Sequence, residues 1–231
     1  MIRRIHAQER YVRNAGWITA RWLFSFDTYH DPLNESFGAL RVFNHDTISP
    51  HTGFPPHGHR DFEIVTVPLV GSVTHEDSLG HKDSVGPGYV QYMSAGGGVV
   101  HSEWNHGDSE LELCQIWFSP SVLGTPPRYE KKQAVFPEHG LVEILSGLSS
   151  SPKGAMTAKA GLNLGALQGG VPYTLTISSA HGVFIYVLSG TVLVQGMVAT
   201  MGDQLRITDE ESLVFTGGPA QFILIETALT C

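Results

Sequence analysis

Two short segments carry side chains of the types that bind a transition metal. PPHGHRDFE (55–63) contains His57 and His59, and GGGVVHSEWN (96–105) contains His101 and Glu103. Each pair is spaced i, i+2. Successive side chains of a strand alternate between faces, so His57 and His59 share one side of their strand, as do His101 and Glu103 of theirs. If both strands line a small barrel, three imidazoles and a carboxylate converge inside it. Neutral imidazole nitrogens with one carboxylate suit a divalent first-row metal, and coordination positions left open admit water, substrate or dioxygen. A lone HxH is usually a surface coincidence; two such pairs make a metal centre the better reading.

Periodicity alone does not choose the carboxylate. Glu63 has the strand parity of His57 and His59 and competes with Glu103, and Asp61 shares that parity. The remaining histidines are weaker candidates. His51, His75, His81 and His106 sit beside Thr, Asp, Gly or Asn in turn-like sequence and read as solvated or loop-capping, while His6, His30 and His45 have no assignment. Glycines 96–98 do not make a phosphate cradle, because no Lys-Ser/Thr follows and the next residues read as a strand. A turn that lets the backbone approach the site is the simpler account.

The elements that must position these groups read as all-β. Short apolar or alternating runs recur between Gly, Pro, Asn and Asp clusters: ALRVF, FEIVTVPLV, YVQYM, LCQIWF, LVEIL, YTLTI, VFIYVL, TVLVQ and SLVF. No sustained 3.6-residue stripe marks a long helix, and short helical turns are expected at most near residues 9–20 or 126–134. Between Ser119 and Gly161 the composition shifts to Pro, Ser, Gly and Lys. This places a domain boundary near residue 130, giving a metal-binding half at 1–130 and a second half at 131–231, with the later Ser-rich piece as a loop. A weak internal repeat relates the halves. IVTVPLVGSV (64–73) matches the strand, glycine turn and returning strand around Phe184 to Val192, and superposing Gly71 on Gly190 sets Thr176 and Ser178 where His57 and His59 stand. The second half then keeps a barrel without the ligands.

Composition bounds the partners. The 231 residues, 42% hydrophobic and 16% charged, are enough to bury a full core. No apolar run of about 18 residues occurs, and the charged start MIRRIHAQERYVRN has no apolar h-region behind it, so neither a membrane span nor secretion is expected. Cys114 and Cys231 form no CxxC spacing and no disulfide framework, which fits a reducing compartment such as the cytoplasm, or the nucleus in a eukaryote. A net charge of −8 opposes direct nucleic-acid binding. Ten of the twelve histidines lie in the first 106 residues, so histidine chemistry belongs to the first half.

Several ordered blocks resemble the pirins, bicupins that include flavonol-cleaving dioxygenases. The blocks are RWLFSFDTYHDP (21–32), FGALRVFNHD (37–46), PPHGHRDFEIVT (55–66), SAGGGVVHSEWN (94–105), QIWF (115–118) and PPRYE (126–130). The resemblance implies two cupin-type jelly-roll barrels in tandem, the N-terminal one carrying the metal. It also implies His57, His59, His101 and Glu103 as ligands, favouring Glu103 over Glu63. The implied cofactor is one divalent transition metal per chain, Fe(II) first, with Cu, Mn, Ni, Co and Zn as alternatives. The implied function is cleavage of a flavonol such as quercetin by dioxygen, with Glu103 taking the hydroxyl proton. A redox-responsive regulatory protein that binds a transcription-factor partner is the alternative, and a structural metal beside a small-aromatic site is a third. The second half has few distinctive motifs.

Overall fold

The computed structural model describes residues 1–148 and 156–229; the Ser-rich stretch at 149–155 and residues 230–231 lie outside them. Its elements are β-strands plus one 3-10 turn at Ala7–Glu9. In chain order the first strands are β1 (Ile2–Ile5), β2 (Tyr11–Asn14), β3 (Ile18–Trp22), β4 (Leu40–Ile48), β5 (Thr52–His59) and β6 (Glu63–Val70). Next come β7 (Val73–Asp77), β8 (Lys82–Val85), β9 (Tyr89–Ser94), β10 (Val99–Asn105), β11 (Leu111–Phe118) and β12 (Arg128–Gln133). The last seven are β13 (Gly140–Ser146), β14 (Ala160–Leu167), β15 (Tyr173–Thr176), β16 (His181–Val194), β17 (Met197–Thr200), β18 (Gln204–Ile207) and β19 (Ser212–Ala228). The two regions where a helical turn was expected are therefore mostly extended. Tyr11–Asn14 and Ile18–Trp22 pair with each other, and Arg128–Gln133 pairs with β9. Ladder partners outweigh weak local helix preference.

Two compact units share the chain without a single cut in the sequence. One comprises Tyr11–Ser36 and Leu40–Val135; the other comprises Met1–Arg10, Phe37–Ala39 and Phe136–Cys231. The first ten residues join the latter through β1, which pairs antiparallel with β18.

The unit holding residues 11–36 and 40–135 has two sheets, β12-β9-β6-β11-β4-β3-β2 and β5-β10-β7-β8. Strand β6 sits between β9 and β11, which explains why EIVTVP is buried at every position and not at alternate ones. By contrast, β10 alternates: Val99, His101, Glu103 and Asn105 are buried while Val100 is exposed. Its core includes Ile18, Ala20, Trp22, Ile48, Leu111 and Leu113, with Ile64, Met93, Ala95 and Val99 as a second cluster. The other unit is one eight-stranded sheet built around β16 and β19, packed on Val183, Ile185, Val187, Leu205, Phe215, Phe222 and their neighbours. Gly71 and Gly190 both adopt a left-handed φ of 74°, yet they serve different ends. Gly71 turns β6 into β7, whereas Gly190 lies within the fourteen-residue β16, beside a register shift against β19. A Cβ at Gly190 would come within 1.9 Å of the Pro219 carbonyl oxygen, so close backbone approach also demands glycine there.

Candidate metal centre

The antiparallel pair β5–β10 sets His101 directly opposite His57 and Val99 opposite His59. Between His101 and Glu103 the register slips, bringing Phe54 opposite Glu103 where uninterrupted pairing would bring Pro55. Pro55 and Pro56 occupy this irregular stretch, as residues without an N–H must in a ladder. The three imidazoles then meet, with ring centroids 4.8 Å apart for His57–His59, 4.5 Å for His57–His101 and 4.8 Å for His59–His101. Their ligand atoms lie within 4.8 Å of one another, and so do those of His75, His101 and Glu103.

Hydrogen bonds fix which ring nitrogens are free. His57 Nδ1–H donates to the Pro55 carbonyl at 2.9 Å, which leaves Nε2 as the lone-pair nitrogen of a neutral ring. His101 Nδ1 lies 3.3 Å from His75 Nδ1, and His101 Nε2 is buried with no hydrogen-bond partner. A buried imidazole nitrogen facing two other imidazoles fits a metal cation, which would satisfy it. Electrostatics agree. Burial, followed by the neighbouring His101 and His57, pushes His59 down to about 4. Burial, followed by His57 and His75, pushes His101 down to about 3. Both rings are thus neutral at pH 7, the state a ligand requires.

Glu103 is 3% exposed and tightly held. Gln91 Nε2 and Thr66 Oγ1 donate to its Oε1 at 2.8 and 3.3 Å, and Gln115 Nε2 donates to Oε2 at 2.7 Å. Trp117 Nε1–H donates to Gln115 Oε1 at 3.1 Å, which orients that amide. Glu63 is elsewhere: it accepts from the Tyr92 hydroxyl at 2.7 Å and belongs to neither ligand-competent group. Burial and then the adjacent Glu63 push the Tyr92 phenol above its ordinary range. The parity linking Glu63 to His59 fails because the strand is broken between them. Asp61 takes a left-handed φ of 54°, and β6 restarts at Glu63 in the other sheet. Asp61 accepts from the Gly124 N–H at 2.7 Å, holding a neighbouring loop.

One residue read as a loop group, His75, is instead part of the buried surroundings of the site. His75 is fully buried on β7, and Asp77 two residues on shares its face. Asp77 Oδ2 lies 3.3 Å from His75 Nε2 and 2.8 Å from His81 Nδ1, while its Oδ1 accepts from the Leu79 and His81 N–H groups. Burial alone would raise the Asp77 carboxyl, but the bonds from His81, His75 and Leu79 outweigh it and hold the group below its ordinary value. Tyr129 stacks on His75 at 4.5 Å and on His81 at 5.2 Å. The alternation V-x-H-x-D over 73–77 was the available signal. His81 itself is partly exposed in the turn before β8, as its neighbours in sequence imply.

Beside the imidazoles lies a cavity of about 310 Å³ whose walls include Trp17, Trp22, Phe26, Phe54 and Trp117, with His57, His59 and Glu103 at one side. His59 packs edge-on to Trp117 with centroids 4.7 Å apart. Among the described residues no helix is long and apolar enough to cross a membrane.

The Pirin family model matches residues 5–118, and that of the quercetinase C-terminal cupin domain matches 149–227. A quercetin 2,3-dioxygenase of Escherichia coli K12 is 39% identical over 212 residues, covering 90% of this chain and 90% of that protein. A pirin-like protein of Caulobacter vibrioides is 36% identical over 219 residues, covering 92% and 94%. The crystal structure of the bacterial pirin YhhW from Escherichia coli in complex with nickel(II) superposes with a TM-score of 0.93 at 36% identity, covering 99% of each chain.

Proposed function

The chain belongs to the pirin family with its two cupin-type domains, and from that premise we propose that it is a metal-dependent dioxygenase that opens a flavonol such as quercetin. The observation that carries this reading is the meeting of three imidazoles, one with an unsatisfied buried nitrogen, at the wall of an aromatic cavity. His57, His59 and His101 would hold the metal, with Glu103 as the fourth ligand. Fe(II) is the first choice; nickel(II), the ion in the relative's crystal structure, is the first alternative. A divalent metal bound there supplies Lewis acidity and a template for the adjacent hydroxyl and carbonyl oxygens of a flavonol.

The chain's own residues do the rest. Trp17, Trp22, Phe54 and Trp117 offer flat apolar surface to a planar ligand and keep water from it. Glu103, fixed by Gln91, Gln115 and Thr66, takes the proton of the flavonol 3-hydroxyl, which makes the heterocycle electron-rich toward dioxygen. Both atoms of dioxygen enter the product as the ring opens, one carbon leaves as carbon monoxide, and a depside remains.

Parallel aerobic and anaerobic incubations of the metal-loaded protein with quercetin test this, following loss of the flavonol's visible absorbance and release of carbon monoxide. Oxygen-dependent loss with stoichiometric carbon monoxide is expected. No such loss with iron, nickel, copper, manganese or cobalt would overturn the enzyme reading in favour of a metal-responsive regulatory protein.

A further inference from the structure

We propose that Asn44 and Asp46 are the specificity-determining pair of the aromatic cavity, selecting planar ligands that carry ring hydroxyls in addition to the oxygens at the metal. This deepens the flavonol reading and rests on it. Neither residue belongs to the metal-binding group, and neither is needed to close the β4 ladder, whose bonds are made by backbone.

Alternation along β4 sets Asn44 and Asp46 on one face, and both line the cavity. They are 2% and 4% exposed, and Oδ1 of each is buried with no hydrogen-bond partner. Buried polar atoms are nearly always paired in folded proteins, so two orphans side by side on the wall of a cavity point to a ligand that pairs them. The surrounding walls include the aromatic Trp17, Trp22, Phe26 and Trp117, and the other polar side chains there are already paired, Arg13 with Asp27 and Gln115 with Glu103 and Trp117. The other side of Asp46 is anchored by a hydrogen bond from the Arg21 backbone. Residues two apart on a strand have Cα atoms about 6.6 Å apart, so the pair reads two separate hydroxyls more readily than one shared between them. A phenolic hydroxyl both donates and accepts, and it therefore satisfies Asp46 whether that carboxyl is ionised or protonated. The chemistry fits a polyhydroxylated flavonol and disfavours a bare aromatic of the same shape.

The test compares quercetin with 3-hydroxyflavone, which keeps the 3-hydroxyl and carbonyl oxygens but lacks the other ring hydroxyls. Each is titrated anaerobically into the metal-loaded protein, and binding is read by quenching of tryptophan fluorescence. Wild-type protein should bind quercetin about 10-fold or more tightly than 3-hydroxyflavone, since a site built to pair hydroxyls rejects an analogue without them. Asn44→Leu and Asp46→Leu should each shrink that ratio about 5-fold, the worth of one net hydrogen bond, while 3-hydroxyflavone affinity stays within about 2-fold. A wild-type ratio near one, or a ratio unchanged in both variants, would overturn the proposal. The wild-type ratio decides the matter if a leucine variant fails to fold by circular dichroism. Failure of both compounds to bind would overturn the flavonol reading and this pair with it, whereas equal binding overturns the pair alone.

Discussion

His75 and His101 face each other through their Nδ1 atoms at 3.3 Å, and only one of the two can carry the proton. Asp77 settles which. Its carboxylate, held in the ionised form, accepts from His75 Nε2–H, so in a neutral His75 the Nδ1 is the acceptor and His101 Nδ1–H donates to it. The outcome is a His101 ring whose Nε2 lone pair is turned toward His57 and His59. A carboxylate and a histidine behind a ligand commonly set its tautomer and basicity.

Replacing His75 with Leu should therefore weaken metal binding about 10- to 100-fold without abolishing the site, the usual cost of losing such support. Competition with a chromophoric chelator measures it. Wild-type affinity in this variant would show that His101 needs no partner, and complete loss of metal would make His75 a ligand in its own right.

His59→Ala and His101→Ala should each remove most of the bound metal, because among the described residues no further imidazole joins that group. Circular dichroism should still report β-sheet. Melting temperature is a poor readout here, since losing a bound ligand lowers it by mass action in any case. Elemental analysis of each purified variant decides the point: unchanged metal in a folded variant would remove that residue from the ligand set.

Glu103→Gln keeps a neutral oxygen of the same length but loses the charge and the proton acceptor. Flavonol cleavage should fall about 10²-fold or more, with part of the metal retained. Glu63→Gln should leave metal content and turnover near wild type, because Glu63 answers to Tyr92 and not to the imidazoles. Metal content and turnover measured together on both variants check the pair. Turnover lost in Glu63→Gln and kept in Glu103→Gln would reverse the assignment.

Stability of the metal-free protein should fall as the solution is acidified from about pH 6.5 toward pH 4. The sign follows from the depressed values of His59, about 4, and His101, about 3, against 6.5 for a free imidazole. Between those limits the unfolded imidazoles bind protons that the folded ones do not, so they make stability rise with pH up to about 6.5. The Asp46 carboxyl, raised to about 8 by burial and then by Glu103, acts in the opposite sense, offsetting part of that rise and bending the curve downward between about pH 6.5 and 8. Thermal melts of chelator-treated protein across pH 4–8 should show this slope, reduced in His59→Leu. A flat profile would mean that the imidazoles are not held neutral by burial.

One metal per chain is expected, bound in the unit formed by residues 11–36 and 40–135. Both ligand-competent groups found among the described residues lie there and share His101, so they cannot fill independently. In the other unit His181 pairs with Glu226 at 2.6 Å, and Thr176 is exposed at the end of β15. A stoichiometry near two by elemental analysis would contradict this.

Much of this architecture is legible in residue types and spacing, and the exceptions have physical causes. The i, i+2 pairs at 57/59 and 101/103 were readable because alternation holds over two positions on β5 beyond its prolines and on β10, whose ladder with β7 runs unbroken over 101–104 even though its ladder with β5 slips there. Parity could not be carried from His59 to Glu63, because a left-handed residue at Asp61 resets it. His75 was hidden by its polar neighbours Thr74, Glu76 and Asp77, which look like a turn until β7 is placed between β10 and β8. Asn44 and Asp46 could not be singled out, since inward polar residues acquire meaning only when their partners, or the lack of them, are known. The involvement of the first ten residues with β18 is a pairing across most of the chain, and no local pattern encodes it.

The position of β5 at the end of its four-stranded sheet has a consequence for self-association. An outer strand offers a row of backbone donors and acceptors on which a second chain can template itself. Here that strand is broken by Pro55 and Pro56, which have no N–H to offer, and the register slips beside them. The same irregularity that brings His57 and His59 against His101 leaves the strand a poor seed for an intermolecular sheet. At this edge of the sheet, the irregularity beside the metal-binding histidines also guards against fibre growth.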